Sequence, residues 1–246
     1  MYFRLKITFL LLVVLIIISS CKTAVVNGEK YKVSQSTTYL GHIGHSKSIL
    51  NTHHTFSARS IPTLQDKVRL DIQILPFTKK LYAVYLDKVA VGQSEITIKY
   101  VDSLKVKPEF VKITILDLNS FAGEINSPYN INILNYLVDT KEAVMVSGVA
   151  MALPIEDILR IRQADAYYLV NNQDKNYTIV LYKQGKKVDA INLKGVTLAY
   201  SLSKFCWAVN NRSQWYIGDI VKDSGGCKGN TNSRIKEKHE ENLYKM

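Results

Sequence analysis

Val68, Leu70, Ile72 and Ile74 alternate with Lys67, Arg69, Asp71 and Gln73. Side chains along a strand point to opposite faces in turn, so a period of two means a strand with one buried face. Pro76 closes that run, because proline cannot donate to a sheet ladder. Ile96, Ile98 and Tyr100 alternate with Glu95, Thr97 and Lys99, and Val111, Ile113 and Ile115 with Lys112, Thr114 and Leu116. Between them Leu81 to Val91, apolar and rich in Tyr and Val, ends at Gly92 and joins the same series. Short strands at this spacing predict an antiparallel sandwich or meander.

Around Phe121 to Pro128 the pattern changes to Gly123, Asn126, Ser127 and Pro128, which predicts a connector and a candidate domain boundary. Tyr129 to Val138 predicts a short helix, and Ala143 to Leu153 a buried strand. Pro154 suits a first helical position, with Glu156 and Asp157 in the first turn, where the helix dipole favours acids. Strand signals then recur at 166–170, 177–182, 188–193, 196–202, 205–209 and 214–221, a meander signature. The expected class is mainly β with a few short helices (α+β), either one sandwich or two packed β-rich subdomains. The β-rich regions cover 31–120 and 129–223, and a flexible polar tail covers 224–246.

The amino terminus has a different grammar. Arg4 and Lys6 carry positive charge, Ile7 to Ile18 is apolar except at Thr8, and Ser19 and Ser20 precede Cys21. A basic start, a short apolar stretch and small residues make a secretory signal. The apolar stretch is well short of the roughly 20 residues that span a bilayer as a helix. Taken alone, the segment fits an ordinary cleavable signal or an uncleaved anchor. Ile18-Ser19-Ser20-Cys21 resembles the lipobox of bacterial type II signal peptides: an aliphatic residue, two small residues, then cysteine. That resemblance covers residues 1–21 and reaches no part of the mature domain. It implies removal of residues 1–20, diacylglyceryl attachment to the Cys21 thiol, and a lipidated tether over 21–30. Two or more acyl chains make such anchoring stable. Among Gram-negative lipoproteins an aspartate after the cysteine favours inner-membrane retention. Lys22 stands there instead, so the resemblance implies the outer membrane. Bacteroidetes lipoproteins displayed at the surface carry acidic residues just after the cysteine. Residues 22–27 have none, which implies the periplasmic face.

Charge and cysteine count fit export. The chain carries +11, and losing Arg4 and Lys6 with the signal leaves +9. The basic residues are scattered along strands rather than gathered in one arm, which suits a solvated surface near anionic lipid or lipopolysaccharide and not nucleic acid. With Cys21 lipidated, Cys206 and Cys227 remain as an even pair, and an oxidising compartment permits a disulfide between them. Two free thiols or a metal pair are the alternatives. The disulfide would close a loop of about 22 residues and contribute about 3 kcal/mol.

His42, His45, His53 and His54 are four of the five histidines and weak candidates for a metal site. His42 and His45 would share a face on one helical turn, but Gly41 and Gly44 oppose a helix. His53 and His54 are adjacent, so on a strand they diverge. The plain alternative is an exposed polar segment. Gly41 to Ser48 lacks the spacing of a phosphate loop, and neither a Gly-x-Ser-x-Gly elbow nor a His-Glu-x-x-His motif occurs. No catalytic residue or cofactor is expected. Asp117, Glu124, Glu156, Asp157 and Asp165 could supply a carboxylate pair, although helix starts and turns account for most of them. Tyr167, Tyr168, Tyr177, Tyr182, Trp207, Trp215 and Tyr216 are core residues or an aromatic binding surface, and Trp207 and Trp215 flank one turn as a cross-strand core pair.

These features favour a non-enzymatic envelope protein, held to the bilayer by acylated Cys21 and contacting an envelope protein or glycan. The alternatives are a hydrolase or metal-dependent enzyme acting on an envelope polymer, and a carrier of a hydrophobic ligand.

Overall fold

The structure is a computed structural model that describes residues 23–33, 37–49, 53–93, 96–103, 105–140, 142–172 and 176–235. The signal segment 1–20, Cys21 and the lipobox lie outside them. The strands are β1 (Thr23–Val26), β2 (Glu29–Lys32), β3 (Ile43–Ile49), β4 (His53–Ser60), β5 (Val68–Pro76), β6 (Glu109–Ile115), β7 (Ala143–Ala152), β8 (Ala166–Asn171), β9 (Tyr177–Lys183), β10 (Lys186–Asn192), β11 (Val196–Val209) and β12 (Trp215–Lys222). The α-helices are α1 (Lys79–Ala90), α2 (Leu118–Asn126), α3 (Ile131–Asp139) and α4 (Ile155–Gln163). The class is as expected: mainly β, α+β, with an antiparallel, sandwich-like arrangement.

The sheet runs β1-β2-β11-β7-β6-β5-β8-β9-β10, with β12 added to β11 and the β3–β4 hairpin added to β7. Strands from both sides of residues 121–128 therefore pair directly. The long central strand β7 pairs with β11 on one edge and shares its other edge between β3 at residues 143–145 and β6 at residues 148–151. Gly148 sits where the neighbour changes. A Cβ there would stand 2.5 Å from Ser201 Oγ and 3.1 Å from the Tyr31 hydroxyl.

Both faces of the central sheet are covered. Along β6, Val111, Ile113 and Ile115 join one cluster with Phe121 and Ile125 of α2 and Ile158 and Ile161 of α4. Phe110 joins a second cluster with Leu81 and Tyr85 of α1 and with Ala24 and Tyr31 of the β1–β2 hairpin. In β7, Val149 and Met151 enter the first cluster, Ala150 and Ala152 the second. Two buried faces explain why this strand reads as an apolar run without alternation. Each large side chain so buried contributes about 1.5–3 kcal/mol.

Several local expectations are corrected. Leu81–Ala90 is helix with Val91 as its C-cap, not strand. Thr78 Oγ1 accepts from Leu81 N at 3.2 Å, and Leu81, Tyr85 and Lys88 form the buried stripe at helical spacing. Gly92 at φ +72 ends it, donating to Val89 O at 2.9 Å while Gln93 N donates to Lys88 O at 3.0 Å. Ile96–Tyr100 is not a strand either. It lies along α1, where Tyr82 donates to Ile98 O at 3.1 Å and Ile98 N donates to the Tyr85 hydroxyl at 3.1 Å. Phe121–Asn126 is the body of α2 rather than a connector, because Asp117 caps it and Phe121 and Ile125 bury one face. The two strands expected at 196–202 and 205–209 are one, since Ser203 has no exposure and Lys204 continues both ladders.

At the amino terminus residues 23–32 are a hairpin in place of a free tether. Asn27 and Gly28 have φ +47 and +79, the two positive values that a tight type I′ turn requires. At the other end Trp207 and Asn232 exchange backbone hydrogen bonds of 2.7 and 2.8 Å, and Ile235 packs on the core. The flexible tail expected from 224 is thus bound to the sheet through residue 235.

Candidate functional site

Gly41 and His42 are tied to β7. Gly41 N donates to Val146 O at 2.8 Å, and His42 O accepts from Val146 N at 2.9 Å. Gly41 has φ +78, and a Cβ there would stand 2.4 Å from the Tyr177 ring, so only glycine fits. This turn places His42 in a cleft of about 740 Å³ shared with Tyr39, Gln93, Asn176, Asn192 and Leu193. That volume lies within the range of small-ligand pockets, roughly 300–1,000 Å³. Burial holds the His42 pKa down to about 4, because the charged ring loses its hydration. The imidazole is therefore neutral at pH 7. Its Nδ1 is buried without a hydrogen-bond partner among the described residues. Its ring lies 5.3 Å from that of Tyr39. Tyr177 closes the floor, donating to Pro62 O at 2.7 Å. Burial raises its pKa well above the ordinary phenol value. The cleft thus offers an imidazole, carboxamides and an aromatic ring beside aliphatic walls.

His42 and His45 have separate surroundings. His45 lies on β3, opposite Ser57 and Ala143, and its Nε2 is 2.9 Å from the Tyr136 hydroxyl of α3. His53 and His54 lie on β4 opposite Ile49 and Ser48. Among the described residues no group of three or more His, Cys, Asp and Glu side chains is placed to hold a metal ion.

The acidic candidates do not converge. Asp117 caps α2, accepting from Ser120 N at 2.8 Å and Ser120 Oγ at 2.6 Å; the side-chain bond foremost lowers its pKa. Glu124 is buried and accepts from Gln65 N at 2.8 Å, Asp66 N at 3.2 Å and the Tyr129 hydroxyl at 2.5 Å. Asp157 binds Arg160 within α4, Asp165 accepts from Gln184 N at 2.7 Å, and Glu156 is exposed in the first turn of α4.

A larger groove of about 960 Å³ lies where β11, the end of α3 and residues 233–235 meet. Most of its charges are already matched. Asp223 binds Lys32 at 2.9 Å and Lys204 at 3.1 Å, and Arg234 lies 3.7 Å from Glu142. Burial raises the Asp223 pKa, yet the two lysines outweigh it and leave the carboxyl below its ordinary value. Cys206, fully buried on β11, is disulfide-bonded to Cys227 with Cα atoms 5.6 Å apart.

The aromatic residues divide. Tyr177 and Trp207 are buried, and Tyr167 joins the core while donating to Ile161 O at 3.0 Å. Trp207 pairs with Ile217 and Trp215 with Val209, so the tryptophans are offset by two positions and do not face each other. Tyr168 and Tyr182 stand half-buried on the outer sheet, their rings 5.1 Å apart. Alternation along β8 and β9 carries no mark that separates these two tyrosines from the buried ones.

No protein-family model, curated protein or solved structure matches this chain. Among the described residues no helix is long and apolar enough to cross a membrane.

Proposed function

We propose that this chain is a lipid-anchored protein of the bacterial envelope and acts as a non-enzymatic binding module. The lipobox supports the anchor, and acylated Cys21 stands two residues before Thr23, where β1 begins. The anchor then feeds directly into the folded sheet and would hold the domain close to the bilayer. The outer membrane, on its periplasmic side, is the proposed address, and an envelope protein or glycan the partner.

The observation that carries the binding role is the His42 cleft. Carboxamides and a neutral imidazole offer hydrogen bonds to uncharged polar groups, and the aliphatic wall covers apolar surface. Four of the acids that could have served an acid–base mechanism are engaged in a helix cap, a loop or an ion pair.

Two measurements test the proposal. Cys21→Ser should abolish globomycin-sensitive processing and membrane association; unchanged processing and localisation would remove the anchor. Purified protein incubated with peptidoglycan or envelope polysaccharide should release no product. Turnover that His42→Gln abolishes would make the chain an enzyme.

A further inference from the structure

Most buried or bridging cations in this fold have a carboxylate. Lys112 and Lys222 share Glu29, Lys32 and Lys204 share Asp223, and Arg160 binds Asp157 and Asp189. Lys67 and Arg69 are held differently. Lys67 Nζ lies 4.6 Å from the Tyr168 ring centre and 4.5 Å from that of Tyr182. The Arg69 guanidinium lies 5.1 Å from the Tyr168 ring centre and donates from Nη1 to the Tyr168 hydroxyl at 2.9 Å. Aromatic rings fix a cation in place through their quadrupole without cancelling its charge. Lys187 lies directly opposite Tyr182 in register and is exposed. Among the described residues no carboxylate is within 4.0 Å of Lys67, Arg69 or Lys187. Asp71, the next outward residue on β5, is bonded to Gln73 Nε2 at 2.8 Å.

We propose that the Lys67–Arg69–Lys187 face, framed by Tyr168 and Tyr182, binds an acidic polysaccharide. Arg69 spends one Nη1 donor on Tyr168 and its Nε is buried, so the outer Nη edge is what remains for a carboxylate or phosphate oxygen pair. The face carries charge but no apolar centre. Among the described residues its exposed large aliphatic side chains stand only at its two edges, Leu116 beside Arg69 and Val188 at the β10 bulge; the others lie on β1, α1, α3, α4, the end of β11 and the loops. A stable protein interface needs a desolvated anchor cluster, and an amphipathic membrane contact needs apolar insertion. A linear polyanion needs neither. This ligand class deepens the non-enzymatic binding role proposed above and rests on it.

The test uses purified full-length protein in detergent, with immobilised polygalacturonate as the probe. Neutral dextran, single-stranded DNA and phosphatidylglycerol vesicles are the comparators. Binding to polygalacturonate should weaken as salt rises. Lys67→Gln with Lys187→Gln should weaken it about tenfold, and adding Arg69→Gln should abolish it; tenfold is about 1.4 kcal/mol, shared between two exposed lysine contacts. Lys222→Gln, at a cation already paired, should stay within about twofold of wild type. Arg69 is half-buried, so Arg69→Lys serves as the fold-preserving variant and should bind less tightly than wild type at unchanged melting temperature. Equal binding of dextran, or wild-type affinity in the Lys67→Gln, Lys187→Gln protein, would overturn the site. Tighter binding of DNA or vesicles would overturn the polysaccharide. Absence of polymer binding by the wild-type protein with anchoring intact refutes this inference alone, whereas cleavage of the polymer refutes the non-enzymatic role.

Discussion

Asn126 holds Ile217 by both backbone groups: Asn126 Nδ2 donates to Ile217 O at 2.8 Å, and Ile217 N donates to Asn126 Oδ1 at 2.9 Å. The carboxamide acts as one residue of a missing strand along the outer edge of β12. Such an edge otherwise presents unpaired donors and acceptors to other chains. Asn126→Ala should cost about 1–3 kcal/mol, because the Ile217 groups stay partly buried without partners. Asn126→Asp should cost more, since it keeps the bond from Ile217 N but sets a charged acceptor against Ile217 O. Urea denaturation of the three proteins tests this ordering, and equal midpoints would refute it.

The Cys206–Cys227 bond closes the segment that contains β12. Cys206→Ala should lower stability by about 3 kcal/mol in the chain-entropy model. Dithiothreitol should destabilise wild type by a similar amount and leave the variant unchanged. Thermal melts with and without reductant report both effects.

His42 has a folded pKa of about 4, below the ordinary imidazole value. The unfolded chain therefore takes up a proton at a higher pH than the folded one. The stability from neutral His42 is complete above about pH 6.5 and is lost as pH falls towards 4. Between pH 7 and pH 5 the loss should be about 2 kcal/mol. His42→Leu should flatten that slope in urea titrations at the two pH values.

Glu29 neutralises Lys112, whose side chain is only 7% exposed, at 3.0 Å, and Lys222 at 2.7 Å. Hydrogen bonds from Lys222 first and Lys112 second lower its pKa. Its contribution is present above the ordinary carboxyl pKa of 4.5 and is lost as pH falls through the lowered folded value. Glu29→Gln should destabilise by about 1–3 kcal/mol, because the Lys112 charge stays buried without its carboxylate. Lys112→Met with Glu29→Gln should recover part of that loss in a double-mutant comparison.

Period-two patterning alone marks β5, and the acidic first turn after Pro154 marks α4, because these elements bury one face more deeply than the other; β6 shows the same alternation although both its faces are covered, because its buried Lys112 is paired with Glu29. The Cys206–Cys227 pair is legible from parity. Local pattern fails where an element's neighbours set its environment. Leu81–Val91 is apolar and β-branched enough to suggest a strand, yet Thr78 and Gly92 cap it as a helix whose stripe covers the sheet. The type I′ signal of Asn27-Gly28 is present in the sequence, and its flanking segments are too short to show alternation.

The functional surfaces divide in the same way. The export signal and the lipobox are contiguous in the chain, so residue order alone expresses them. The His42 cleft and the Lys67–Arg69 face join residues a hundred or more positions apart, such as Lys67 with Tyr182. Their neutral imidazole and uncancelled charges arise from burial and ring contact, which exist only once distant strands have paired.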